Sequence, residues 1–231
     1  MTRTALVWLL IFSAGFFSVA CGAKSTEVQI SAPLRPKYVA KGYQKIYIAD
    51  FMITGQQQMD RDVNINVNKE VKETLRSEFK DKSGYQVDSL KVEYDQGKKP
   101  EEVLKDSSFW ISQQVQDKKG SMILAGAVEF SNFEKSGLVT QRVTNPRTGD
   151  ERNITNSRER MQLVLAIDLY LLDAQTGEKL FQENFKEEQV YDDISNVSLP
   201  LFYDVFEKIA PKIVGILVPY RVAGSRLLLE P

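Results

Sequence analysis

The chain of 231 residues contains no histidine and only one cysteine, Cys21. It therefore cannot form a Ser-His-Asp or Cys-His nucleophile system, a histidine general base, or a zinc site built from cysteine and histidine. It also lacks the Gly-x-Gly-x-x-Gly and Gly-Lys-Ser/Thr motifs that cradle phosphates. We expect no cofactor and no metal, although catalysis or metal binding by carboxylates alone stays open.

Neither sign of charge predominates in the chain. The chain has 30 basic and 31 acidic residues, and the two signs are interspersed along it. No global field attracts a polyanion, so we expect no nucleic-acid partner. A chain of this length can bury an adequate core without disulfides, and a lone cysteine allows none within the chain.

Long apolar runs are scarce too, and the one that exists ends at the cysteine. Arg3 supplies a positive start, Ala5 to Phe17 an apolar stretch, and residues 18–20 the small side chains before a cleavage point. This is the pattern of a secretory signal. Two alternatives are an ordinary signal peptide with an incidental cysteine, and a membrane-spanning helix of about 17 residues, which is the lower limit for a span.

The cysteine after the cut resembles the lipobox of bacterial lipoproteins, in which a peptidase cleaves before Cys and acyl chains are attached to it. Ser18 departs from the usual Leu, whereas Val19, Ala20 and Gly22 fit. The resemblance implies that Cys21 is lipidated, with palmitate among its acyl chains. Gly22 in place of Asp resembles the sorting pattern of outer-membrane lipoproteins, which implies an anchor on the periplasmic face of that membrane.

The remaining chain divides into a tether and one domain. Residues 1–20 are the predicted signal peptide, residues 21–42 a tether containing serine and proline, and residues 43–231 the predicted periplasmic domain. The alternative for the tether is an arm that packs on its own domain through Val28, Ile30 and Leu34.

Hydrophobic periodicity predicts the elements of that domain. A stripe with a period of four predicts a helix ending near Phe79, and strict alternation over 161–172 predicts a half-buried strand. Pro100 is expected to open a helix that runs to Gly120, and Pro211 to kink or divide the last helix. The predicted strands are 45–51, 85–94, 121–130, 161–172 and 180–190, with a short polar hairpin between the third and fourth. The order β-α-β-α-β-β-β-α predicts a single α+β domain in which helices pack on a mixed β-sheet.

This order resembles the CsgG-like (curli-secretion) lipoproteins and the related lipoprotein activators of penicillin-binding proteins. Four segments carry the resemblance: Lys45 to Phe51, the helix to Phe79 followed by Gly84, Met122 to Gly126, and Leu169 to Asp173 with Thr176-Gly177-Glu178. The family has no catalytic residues, and its members act by binding, in rings, pores or contacts with other envelope proteins. Residues 131–160 carry too many charges for the continuous lipid face of a curli-type pore.

Candidate partner-binding residues are Trp110 and the arginines of the polar hairpin, Arg142, Arg147 and Arg152. An exposed tryptophan would anchor a partner, and its alternative is a flank of the core. The arginines would meet an acidic partner or lipid headgroups, and their alternative is an ordinary solvated hairpin.

Two carboxylates within apolar strands, Asp50 and Asp168, are either catalytic or structural, and we expect the latter. The sequence thus predicts a lipid-anchored, non-enzymatic envelope module that binds other envelope proteins or itself. A secretion or pore component of the curli type is one rival. The other is an envelope hydrolase using carboxylates, which would need two acids of perturbed pKa in one cleft.

Overall fold

The computed structural model describes residues 25–54, 65–95, 97–192 and 198–229. Its strands are β1 (Ser25–Leu34), β2 (Lys45–Ala49), β3 (Met52–Thr54), β4 (Gln86–Leu90), β5 (Ser121–Thr144), β6 (Glu151–Asp173), β7 (Lys179–Asp192) and β8 (Tyr220–Leu229). The described helices are α1 (Val67–Lys82), α2 (Pro100–Leu104), α3 (Ser107–Ser112), α4 (Leu199–Phe206) and α5 (Ala210–Val214).

The described residues form two compact units. The smaller contains the described residues 25–34 and 221–229, and it is built on the two-stranded sheet of β1 and β8. The tether predicted over residues 21–42 therefore includes a paired strand. A packed arm would depend on Val28, Ile30 and Leu34, but these side chains are 36–41 % exposed.

The larger unit, Arg35–Tyr220, is built on a six-stranded mixed sheet. The strand order is β4-β2-β5-β6-β7, and β3 also pairs with β5. Strand β2 is parallel to both neighbours, whereas β6 is antiparallel to both β5 and β7. The predicted α+β fold with helices on a mixed sheet is confirmed.

One face of this sheet carries the larger core. Alternate residues of β6 are all buried there, as the sequence pattern predicted: Met161, Leu163, Leu165, Ile167, Leu169 and Leu171. Helix α1 covers them with the predicted stripe of Val67, Val71, Leu75 and Phe79. Pro211 divides the last helix, because α4 ends at Phe206 and Pro211 lies in the first turn of α5.

The second face is covered at one end by α2 and α3, and here one prediction was wrong. The helix expected from Pro100 to Gly120 breaks at Lys105–Asp106, and the Asp106 side chain accepts hydrogen bonds from the backbone of Ser108 and Phe109 to cap a new helix. The break resets the helical phase. A single unbroken helix would have turned Ile111 toward the core, but in the structure Ile111 is 44 % exposed.

The polar hairpin was also predicted too short. Strands β5 and β6 run without interruption through it, in register from Met122↔Asp173 to Thr144↔Glu151. The change to polar residues after Phe130 marks where burial ends and not where the strand ends. Antiparallel pairing continues because the backbone ladder needs no apolar face.

Candidate functional site

The hairpin formed by β5 and β6 extends beyond the rest of the sheet. Strand β7 accompanies β6 only as far as Arg160, which lies opposite Asp192. Among the residues that the structure describes, 136–144 and 151–159 therefore pair only with each other. At about 3.4 Å per residue, this two-stranded arm is roughly 30 Å long. We call residues 136–159 the hairpin arm.

The turn at the end of the hairpin arm is fixed by its own residues. The Asn145 side-chain oxygen accepts a hydrogen bond from the Arg147 backbone at 2.9 Å, and the Asn145 backbone N–H donates to the Asp150 carbonyl at 2.8 Å. Gly149 has a φ of 73°, a conformation that glycine adopts without strain. The segment Asn145-Pro146-Arg147-Thr148-Gly149 is thus a closed hairpin loop.

All residues from 140 to 156 are exposed. Arg142 Nε lies 3.2 Å from Glu151 Oε2 on one face of the hairpin arm. Arg152, which lies opposite Val143 in the register, is on the other face, and Arg147 is in the turn. Neither Arg147 nor Arg152 has an ion-pair partner among the described residues. The structure therefore brings the three predicted arginines together at the outer end of one hairpin.

Apolar side chains accompany these charges. Val143 and Ile154 share the face of Arg152 and are 44 % and 43 % exposed, while Leu138 is 78 % exposed. Arginine is among the residue types enriched at protein–protein interfaces. The outer end of the hairpin arm therefore exposes both arginines and aliphatic side chains.

Trp110 is not part of such a surface, and its assignment as a partner anchor is corrected. Its side chain is fully buried in the second core cluster, at 0 % exposure. It packs edge-on against Phe109 at 5.1 Å and against Tyr94 at 6.4 Å, measured between ring centroids. The same reset of helical phase that exposes Ile111 turns Trp110 toward the sheet. Its indole N–H has no acceptor among the described residues.

Asp50 joins the ends of two parallel strands. Its Oδ1 lies 2.7 Å from Lys72 Nζ of α1, and its Oδ2 accepts a hydrogen bond from the Val92 backbone at 3.0 Å. The same lysine donates to the Leu90 carbonyl at 3.2 Å. Tyr94 donates its hydroxyl proton to the Asp50 carbonyl, and burial, together with the Asp50 charge, raises the pKa of Tyr94 above its usual range. These contacts give Asp50 a structural role at the strand end.

Beside this cluster lies a cleft of about 500 Å³ at the carboxyl ends of β2 and β4. Its described lining consists of Phe51, Met52, Ile53, Thr54, Tyr94, Asp95, Lys98 and Pro100. Open sheets with parallel strands commonly bind ligands at this edge. The sequence did not reveal the cleft, because its walls come from two segments, 51–54 and 94–100, that are far apart in the sequence.

Asp168 lies elsewhere and does not line this cleft. It is on β6 opposite Ala127 of β5, and Gln182 donates to its Oδ1 at 3.4 Å and to the Tyr170 hydroxyl at 2.7 Å.

Two other carboxylates have lowered pKa values. Backbone hydrogen bonds from Phe109 and Ser108 help to lower the pKa of Asp106. Although burial opposes it, hydrogen bonds from Thr176 and Tyr43 lower the pKa of Asp173. A lowered pKa suits a structural carboxylate and not a general acid.

Cys21, the predicted lipidation site, lies outside the described residues. Within the ranges that the structure describes, no helix is both long and apolar enough to cross a membrane. Those ranges also contain no group of three or more acidic, histidine or cysteine side chains placed to hold a metal ion.

Comparison with known proteins finds no family model and no curated protein that matches this chain. Among solved structures, it is similar to a homologue of neuraminyllactose-binding hemagglutinin from Helicobacter pylori, with 10 % identity, a TM-score of 0.35, and coverage of 80 % of this chain and 87 % of that one. It is also similar to the hypothetical protein CT253 from Chlamydia trachomatis, with 10 % identity, a TM-score of 0.38, and coverage of 75 % and 97 %.

Proposed function

We propose that this chain is a lipid-anchored module of the cell envelope that binds other envelope proteins through the hairpin arm and catalyses no reaction. The observation that carries the proposal is the arm itself. It extends two paired strands beyond the sheet, exposes every residue from 140 to 156, and combines arginines with aliphatic side chains. Segments that leave a rigid scaffold in this way commonly hold binding specificity.

The anchor is the second part of the proposal and rests on the N-terminal sequence. Cys21 follows a charged start, an apolar run and small residues, as in bacterial lipoproteins. One acyl chain alone gives marginal membrane binding, whereas several hold a protein firmly. We therefore place the chain on the periplasmic face of the outer membrane, in agreement with its resemblance to the CsgG-like lipoproteins.

The anchor is tested separately from the arm. Replacing Cys21 by alanine in the full chain should leave an uncleaved precursor or release the protein to the soluble fraction. Intact-mass analysis of the wild-type chain should show acyl groups on a mature N-terminal cysteine. An unmodified N-terminus would contradict the anchor and leave the binding proposal standing.

The arm is tested by reversing its charge without changing its length. Arg142→Glu, Arg147→Glu and Arg152→Glu combined should abolish co-purification of the partner from membranes while leaving the thermal midpoint nearly unchanged. All three side chains are exposed, and the single resolved ion pair among them is largely solvated.

A matched control makes the same charge change elsewhere. Lys80, Lys91 and Lys119 are exposed lysines of the larger unit and can be replaced together by glutamate. We expect this variant to keep its partner. Equal loss of the partner in both variants would mean that net charge, and not the hairpin arm, governs binding. Retention of the partner in the arginine variant would place the contact surface elsewhere.

A further inference from the structure

One face of the hairpin arm continues a face of the main sheet beyond the part that α2 and α3 cover. The register of β5 and β6 is unbroken, so Val143 and Ile154 lie on the same face as Phe133. Val190 of β7 joins this face beside Gln162, which lies opposite both Phe133 and Val190. The four apolar side chains are 43–52 % exposed. We call this surface, which extends roughly 34 Å from Phe133 to Val143, the continuous face.

The charges of the continuous face include an arginine without a partner. Arg152 is exposed and forms no ion pair among the described residues. Asp192 lies at the inner end of this face, where its Oδ1 is 2.8 Å from Arg160 Nε. Along the paired strands of the arm, none of the described residues on this face is acidic. Asp150 belongs to the turn, and no ion pair in the described structure joins it to Arg152.

The opposite face of the hairpin arm is satisfied by its own side chains. Arg142 Nε lies 3.2 Å from Glu151 Oε2, and the hydroxyl oxygens of Thr140 and Thr155 are 3.0 Å apart. Among the described residues of this face, Leu138 is the one large apolar side chain. A partner would gain less here, because the polar groups already have partners within the arm.

We propose that the continuous face is the contact surface of the hairpin arm and that it binds an acidic, apolar surface of another envelope protein. This inference rests on the proposed function of the arm. The exposed apolar side chains would form the buried centre of the contact, and Arg152 would pair with a carboxylate of the partner. Interface centres are more apolar than the rest of the surface and are enriched in arginine. Complementary charge sets the orientation and the choice of partner.

The twist of the strands favours a protein over a lipid surface as the occupant. Strands twist right-handedly, and two-stranded ribbons twist more than larger sheets do. The continuous face therefore turns along its length. A flat bilayer would contact one part of this face and leave the rest in water, whereas a protein surface can follow the twist.

Photocrosslinking from neighbouring positions tests which face is used. In the full chain in its native membranes, p-benzoylphenylalanine replaces Gln141 or Asn156 on the continuous face, or Thr140 or Asn153 on the opposite face. All four residues are exposed. Because successive residues of a strand point to opposite faces, protein adducts from positions 141 and 156 should be about 5-fold more abundant than those from 140 and 153. Mass spectrometry should find Asp or Glu within a few residues of the attachment point.

Single charge reversals test the chemistry of the contact. Arg152→Glu should lower the yield of adducts from position 141 about 10-fold, and Arg152→Lys should keep most of it. The matched control, Arg142→Glu, makes the same charge change on the opposite face and should leave this yield within about 2-fold. Both arginines are exposed, so neither reversal should move the thermal midpoint by more than about 2 °C.

The outcomes distinguish this inference from the proposed function. Equal adducts from both faces, or a crosslinked peptide without acidic residues, would overturn the inference and leave the hairpin arm as the binding segment. The absence of protein adducts from every arm position would overturn the proposed function as well. Lipid adducts from the continuous face would assign it to the membrane instead. So would flotation of the Cys21→Ala chain with phosphatidylglycerol vesicles, if Arg152→Glu abolished it.

Discussion

Removal of the Asp50 carboxylate is the most informative perturbation of the core. The Asp50 and Lys72 side chains are 19 % and 12 % exposed, and the Val92 N–H donates to the same carboxylate. Asp50→Ala would leave a nearly buried ammonium group without its counter-charge and a backbone N–H without its acceptor. Such losses cost about 3–5 kcal/mol for a buried ion pair broken from one side and about 1–3 kcal/mol for an orphaned donor.

Because both groups keep some contact with water, we expect the free energy of unfolding to fall by about 3 kcal/mol in total, at the low end of that range. In a domain of this size, 1 kcal/mol shifts the thermal midpoint by about 2–4 °C, which gives a decrease of roughly 6–12 °C. Urea denaturation followed by far-UV circular dichroism measures the free energy directly.

Two further variants make this experiment decisive. Asp50→Asn keeps an acceptor for the Val92 N–H and should cost less than alanine does. Glu93→Ala breaks a pair with Lys91 in which both side chains are more than 80 % exposed, and it should change stability by under about 0.5 kcal/mol. If Asp50→Ala is as mild as Glu93→Ala, the strand-end role of Asp50 is wrong.

Three other predictions concern packing and titration. In urea denaturation, Trp110→Ala should destabilise the fold by about 3–5 kcal/mol and Ile111→Ala by under about 1 kcal/mol. The reverse order would contradict the orientation of α3, which buries Trp110 and exposes Ile111. Gly126→Ala should be strongly destabilising, because a Cβ there would lie 2.5 Å from a backbone oxygen and 2.9 Å from a ring carbon, whereas Gly137→Ala meets nothing within 4 Å and serves as its control. Burial raises the pKa of Tyr170 to about 12 in the folded protein. The stability that this shift contributes is complete below about pH 10, where tyrosine titrates in the unfolded chain, and it is lost as the pH rises toward 12. Absorbance at 295 nm should show one fewer late-ionising tyrosine in Tyr170→Phe, and an unchanged titration curve would contradict the assignment.

Elements with strong local periodicity could be predicted from the sequence. The four-residue stripe of α1 and the alternation of β6 each bury one continuous face, so the pattern alone locates them. The division of the last helix at Pro211 could also be predicted, since proline removes a backbone donor wherever it lies. The position of Arg142, Arg147 and Arg152 in one hairpin could be predicted for a similar reason, because a polar interruption between two apolar strands is a local signal, whereas their role in binding stays a prediction.

Elements that depend on distant partners could not be predicted in this way. The strand Ser25–Leu34 forms by pairing with Tyr220–Leu229, and the sequence of neither segment indicates its partner. The cleft beside Asp50 requires that β2 and β4 end side by side. The error at Trp110 had a local cause, because the Asp106 cap restarts the helix and a single helical period over 100–120 cannot represent two short helices.

The hairpin arm continues the central strands of the sheet, and this continuity would determine how it presents the proposed binding residues. Its strands are the outer halves of β5 and β6, and the inner halves of the same strands lie at the centre of the buried sheet. The register between β5 and β6 runs unbroken from the core to Thr144↔Glu151, so no loop or bulge separates the arm from the core. Packing against the helices therefore sets the direction in which the arm leaves the sheet. A binding surface held by rigid strands loses less conformational entropy on association than one on a free loop. Evolution can alter the exposed residues from 140 to 156 with little effect on folding, because none of them contributes to either buried cluster.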